Sequence, residues 1–299
     1  MTKSMIALAA MALLGSGAAM AASGGSSNAA NVAVGNSNHL LFGGGNAGLK
    51  FENSLLGFID IAKGPVNGSN TAIASKGQGA IMTGADAGAP VSMDIAQVWN
   101  ASATQGTSKF MVNSVRQINT FALAPQFGGL VIGQVADAAG KPLAVGSGVY
   151  FGEWAPRAAG TPPANSTNLN MASSSRTVWY AGDNPTTAMP TLVGATYNVI
   201  GIQGVGTAVD NLPTAPKLYG GTLTANYMSG GGAGNSLIGT ITNGTNTLNF
   251  AGTTIASNGK FVNGNAIEGQ FYNNASALAG IYKGGTAASN VAFGGSRSN

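Results

Sequence analysis

From Leu218 to Asn299 the chain runs in short stretches where apolar and polar residues alternate, each closed by Gly or Asn. Leu223, Ala225 and Tyr227 alternate with Thr222, Thr224 and Asn226, the period of two that sends successive side chains to opposite faces of a strand. Thr240-Ile241-Thr242 and Thr247-Leu248-Asn249-Phe250 flank Asn243-Gly244-Thr245-Asn246, whose Asn-Gly pair is a hairpin signal because both residues accept positive φ. Strands are predicted at 149–154, 177–181, 195–202, 221–228, 237–242, 247–250, 260–263, 267–272 and 278–282. About eight strands of this length fill a small barrel with their own side chains, and closure leaves no free edge. No fixed period marks the chain as a solenoid.

Ahead of residue 145 the pattern is mixed. Short β-type pieces fall at 32–34, 55–61 and 120–123. The segment from Val91 to Ala101 lies between turn formers and sets Ile95, Val98 and Trp99 on one helical face, which predicts a short helix. The loop at 155–175 is rich in Pro, Ala, Ser and Asn and is expected to be exposed.

The first 21 residues read as a signal peptide: Lys3, then an apolar run from Met5 to Leu14, then the small-x-small site Ala19-Met20-Ala21. Gly15, Ser16 and Gly17 break the apolar run well short of the ~20 continuous residues a spanning helix needs. The mature chain is expected to begin at Ala22, with residues 22–30 a flexible Gly/Ser/Asn tail, and to be exported and soluble.

Composition narrows the class further. Of 299 residues 44% are hydrophobic, enough for a core, whereas 7% are charged against a usual fraction of about a quarter. With 47 glycines, this is the balance of a turn-rich extracellular β protein and not of a disordered chain. The net charge of +4 comes from 13 cations and 9 anions scattered singly, so no basic stripe invites nucleic acid. The absence of cysteine excludes disulfides, thiolate metal sites, Cys nucleophiles and lipoprotein acylation.

Several strings carry a family likeness: Val149-Tyr150-Phe151-Gly152-Glu153-Trp154, then Arg176-Thr177-Val178-Trp179-Tyr180-Ala181-Gly182-Asp183-Asn184, then Tyr197-Asn198-Val199-Ile200-Gly201-Ile202. Glu268-Gly269-Gln270-Phe271-Tyr272, Ala279-Gly280 and Ala292-Phe293-Gly294-Gly295 follow in order. With these the second half of the chain resembles the hemophilin-like secreted proteins, relatives of transferrin-binding-protein-B type surface lipoproteins, exported by the Slam-type outer-membrane translocon. The resemblance implies a mainly β protein in two parts. Residues 31–145 would be a mixed, β-rich handle with a short helix that carries the ligand, and residues 146–299 an eight-stranded antiparallel β-barrel. It also implies heme as cargo and a TonB-dependent outer-membrane receptor as the recipient. Relatives differ in cargo: some take heme, some a host protein such as hemoglobin or transferrin.

His39 is the one histidine, in Asn36-Ser37-Asn38-His39-Leu40-Leu41-Phe42-Gly43-Gly44-Gly45. A neutral imidazole binds heme iron, Leu40, Leu41 and Phe42 would wall a porphyrin, and the glycines would let backbone approach a flat ligand. On the residues alone, a histidine without partners reads rather as a surface or turn residue with no ligand. The resemblance makes His39 the expected heme and metal ligand. Met82, Met93, Met111 and the tyrosines stand as second-ligand alternatives, and Lys50 or Lys63 as propionate partners. Trp154 and Trp179 are expected in barrel packing. Gly201-Ile202-Gln203-Gly204-Val205-Gly206 imitates a dinucleotide loop, but Pro213 and Pro216 argue against the helix it requires. No G-x-S-x-G elbow occurs, and Gly146-Ser147-Gly148 lacks the spacing, so no enzyme is expected. The sequence therefore reads as a secreted hemophore. The alternatives are a hemoglobin-type host-protein binder without heme of its own, and a colonisation factor with another metal-ligand cargo.

Overall fold

The computed structural model describes residues 22–52, 54, 56–64, 66, 76–87, 92–119, 126–158 and 166–298. The leader and the piece predicted at 120–123 lie outside these residues. Ten strands come first: β1 (Ser23–Ser26), β2 (Val32–Asn36), β3 (Ala47–Phe51), β4 (Ile59–Asp60), β5 (Ala80–Thr83), β6 (Asp94–Gln105), β7 (Ser108–Gln117), β8 (Gly129–Val135), β9 (Val149–Ala155) and β10 (Thr177–Gly182). They build a seven-stranded sheet, ordered β1-β10-β9-β8-β7-β6-β5, and a small sheet, β2-β3-β4.

The second group is β11 (Leu192–Ile202), β12 (Tyr219–Tyr227), β13 (Ser236–Thr242), β14 (Thr247–Asn249), β15 (Thr253–Ile255), β16 (Lys260–Asn263), β17 (Ile267–Tyr272), β18 (Ala277–Tyr282) and β19 (Val291–Arg297). In the order β12-β11-β19-β18-β17-β16-β15-β13, with β13 pairing back to β12, eight of these close an antiparallel barrel, and β14 extends the wall beside β13. The alternation read in β12 holds: Leu223, Ala225 and Tyr227 are buried. Thr242 pairs with Thr247 across the Asn243-Gly244 turn, where Gly244 has φ 88°. Aromatic rings fill the barrel, with Phe250 edge-on to Phe293 at 5.0 Å and Phe261 to Phe271 at 5.4 Å.

The large sheet is the middle of three layers. Tyr150, Trp154, Trp179 and Ala181 pack toward the small sheet with Leu49 and Phe51. Val149, Phe151, Val178 and Tyr180 pack toward Ile200, Ala279, Ile281 and Ala292 of the barrel. A strand buried on both faces is apolar at nearly every position, so alternation disappears.

That condition explains the corrections. The helix expected from Val91 to Ala101 is strand β6, paired with β5 and β7, and among the described residues the only helical turns are short 3-10 segments. Ala96 and Val98 join one core and Trp99 the opposite one, so apolar residues on both faces imitated a helical period. β9 and β10, counted above among the barrel strands, pair with β8 and β1 in the large sheet. Trp154 and Trp179 accordingly fill the core facing the small sheet, not the barrel. The segment expected to be a flexible tail is ordered: Ser23–Ser26 pairs residue for residue with β10. Gly24 makes this possible, since a Cβ there would overlap the Tyr180 carbonyl.

Candidate functional site

The small sheet presents the turn that holds His39. The backbone N–H of His39 donates to Phe58 O at 2.9 Å, and Gly43 N–H donates back to His39 O at 2.8 Å, closing a five-residue turn. Inside that turn the N–H groups of Leu41 and Phe42 both donate to His39 Nδ1 at 3.2 Å. The imidazole thus acts as a capping acceptor, satisfying backbone donors as an Asn or Asp does at a helix start. It stacks on Phe42 with ring centroids 5.2 Å apart and is 4% exposed. Burial pushes its pKa below the ordinary 6.5, which keeps the ring neutral.

This arrangement tests the heme expectation chemically. A histidine that ligates metal through one ring nitrogen donates from the other. Two N–H groups aimed at Nδ1 require a lone pair there, which puts the proton on Nε2 and leaves no free lone pair for iron. His39 as placed does not fit an axial ligand. The expected porphyrin wall is divided as well: Phe42 is buried in the core, whereas Leu40 is 80% and Leu41 47% exposed. The glycines serve another purpose, because a Cβ on Gly44 would collide with the Asp60 carboxylate and Gly44 N–H donates to Ser37 Oγ at 3.0 Å.

Asp60 organises the turn from beneath. Its Oδ2 accepts from Ser37 Oγ at 2.9 Å and Asn46 Nδ2 at 2.8 Å, and its Oδ1 accepts from the N–H groups of Ala62 and Lys63. Asp183, just after β10, accepts from Ala47 N–H of β3 and from Gly148 N–H at 3.0 Å, tying the small sheet to the large one. Burial lifts the Asp183 carboxyl above its usual range; those two N–H groups oppose the shift and the negative charge of Asp60 adds to it. Every acceptor position used on these carboxylates faces a protein donor. Among the described residues no three of His, Cys, Asp and Glu gather to hold a metal ion.

The other sequence candidates are dispersed. Met82 is buried in the core between the sheets, Met93 is exposed, and Lys50 and Lys63 are exposed. The dinucleotide-like string ends β11 and then wraps a carboxylate: Gly204 N–H and Val205 N–H donate to Glu153 at 2.8 and 2.7 Å. Glu153 also accepts from Arg176 Nε at 2.6 Å, and Arg176 donates onward to the carbonyls of Ala287 and Asn290. This cluster bolts β9 and β10 to the barrel loops. Both residues stand inside the strings that carried the family likeness, yet neither was singled out. A charge within the uninterrupted apolar run Val149-Tyr150-Phe151-Gly152-Glu153-Trp154 was the available signal, since a buried carboxylate must find a partner.

No family model matches the chain. Among solved structures it is similar to intact Ap-TbpB, determined with its N and C lobes, at 15% identity and a TM-score of 0.30. The match covers 74% of this chain and 42% of that one, so the chain spans less than half of that structure's length.

Proposed function

We propose that this chain is an exported binding protein that grips a folded host iron protein, hemoglobin first, and carries no heme on His39. The observation behind this reading is the engagement of His39 Nδ1 by Leu41 and Phe42, which makes the imidazole a cap and turns Leu40 and Leu41 outward. Two exposed leucines on a turn braced by Asp60 form a small apolar patch whose burial against a partner would be favourable. The family resemblance supports host iron proteins as the partner class, and the leader pattern supports export, with a Slam-type translocon and a TonB-dependent receptor as further partners. The protein would act by capture without turnover, in the extracellular space.

Hemin addition followed by the visible spectrum, run beside a hemoglobin pull-down, tests the reading. The expected result is no Soret change that depends on His39, with hemoglobin retained by the native chain and lost by the Leu40→Asp, Leu41→Asp double variant. A Soret band that sharpens with hemin and vanishes in His39→Ala would return the hemophore reading. Hemoglobin capture unaffected by the leucine changes would remove the turn as the contact.

A further inference from the structure

A polar cleft of about 430 Å³ opens where three segments meet: Ser27, Asn28 and Asn31 after β1, the turn leading into β10, and the loop between β18 and β19. Its volume is within the range that holds small molecules. No aromatic or branched aliphatic side chain lines it, so an apolar ligand would find nothing to displace water for.

Its two cations are already neutralised. Arg176 is paired with Glu153, and Lys283 Nζ lies 3.0 Å from Glu268 Oε2. An anion entering the cleft would therefore meet no uncompensated positive charge. The rest of the polar lining is uncharged, hydroxyls of Ser and Thr together with three amides. Asn290 is 9% exposed, and its Oδ1 accepts from Gly284 N–H at 3.1 Å, which leaves Nδ2 as a donor. Asn28 Oδ1 accepts from Ala30 N–H at 3.1 Å, which again leaves Nδ2. Asn31 is held the other way round: Nδ2 donates to Ser175 O and Thr177 Oγ1, leaving Oδ1 as an acceptor. Each amide is hydrogen-bonded at one end and keeps the other for a ligand, which reduces the side-chain entropy lost on binding.

Pre-oriented donors and an acceptor, without net charge and without grease, match adjacent hydroxyl groups, each of which donates and accepts at once. We infer that this cleft binds a neutral saccharide of one or two sugar units, either free or displayed on a glycosylated protein. The inference does not depend on the leucine turn and stands or falls separately from it.

The test is nitrogen–proton NMR of the side-chain amides of the folded chain, with glucose, galactose and N-acetylglucosamine each added to tens of millimolar. At least one sugar is expected to shift the Asn28 and Asn290 amide signals, while sulfate at matched ionic strength does not. Asn290→Asp keeps the acceptor for Gly284 N–H and removes the donor, and is expected to weaken the sugar about tenfold, the loss of one hydrogen bond. Asn28→Ser should weaken it on a surface where folding is not at stake. Binding to an immobilised glycoprotein, before and after enzymatic deglycosylation, separates a displayed glycan from a free sugar. The inference is overturned if no sugar moves these signals, if sulfate moves them equally, or if both variants bind as the native chain does.

Discussion

Arg176 and Glu153 form an ion pair whose side chains are 1% and 0% exposed, at the junction of the large sheet and the barrel. Neither charge could stay buried alone, because an unpaired ion in the interior costs several kcal/mol. Glu153→Ala is expected to lower stability by about 3–5 kcal/mol, measured by urea denaturation. A Glu153→Leu, Arg176→Met double variant should recover part of that loss. Recovery stays incomplete because Gly204 and Val205 keep N–H groups that lose their acceptor.

The capping role of His39 separates two conservative changes. His39→Asn offers an amide oxygen to the same N–H groups and gives up only the ring stacked on Phe42, whereas His39→Leu also leaves both N–H groups without an acceptor and should cost about 1 kcal/mol more. Denaturation midpoints of the two variants check the order.

The same residue predicts a pH dependence. Burial holds the folded pKa of His39 below the ordinary 6.5, so the unfolded chain takes up this proton first as pH falls. Its contribution is complete above about 6.5 and is lost as pH falls from there toward the folded value. The difference in melting temperature between native protein and His39→Asn should be constant above this window and move against the native protein below it.

Three consecutive residues after β17, Asn273, Asn274 and Ala275, are left-handed, with φ of 53°, 55° and 60°. Ala275 is the one without a polar side chain to ease that conformation. Its carbonyl accepts from Tyr197 Oη at 2.6 Å and its N–H donates to Thr186 Oγ1 at 2.9 Å, which holds it there. Ala275→Gly keeps both bonds and is expected to raise stability by up to about 1 kcal/mol, read as a higher melting temperature.

Phe151 of β9 lies against Gly133 of β8 and Gly294 of β19, and a Cβ on either glycine would enter its ring. Gly294→Ala should cost about 1–3 kcal/mol in the native background and less with Phe151→Leu, which vacates ring volume. Phe151→Ala alone should cost about 3–5 kcal/mol by opening a cavity. Chemical denaturation of the single and double variants gives the coupling.

The barrel was legible because its strands bury one face and wet the other. Leu223, Ala225 and Tyr227 announce their side, and Asn243-Gly244 announces its turn. The large sheet was not legible by the same rule, since Val149 to Trp154 is apolar on both faces and carries no alternation to read. Ser23–Ser26 reads as a tail for another reason: its partner, β10, lies about 150 residues away, and Ser-Gly-Gly-Ser holds no side chain that reports the pairing. At His39 the residue type was legible and the cap it makes was not. Capping depends on where two N–H groups point, and a string of letters does not fix that.

A middle sheet drawing strands from both sides of residue 146 determines how such proteins can be recombined. A chimera of two chains with this fold, if spliced near residue 146, would leave β9 and β10 of one parent against β8 and β1 of the other. The workable splice lies beyond Gly182, in the stretch before β11, so that the donor brings its own Asp183 strut and exchanges only the wall that Phe151 presses on.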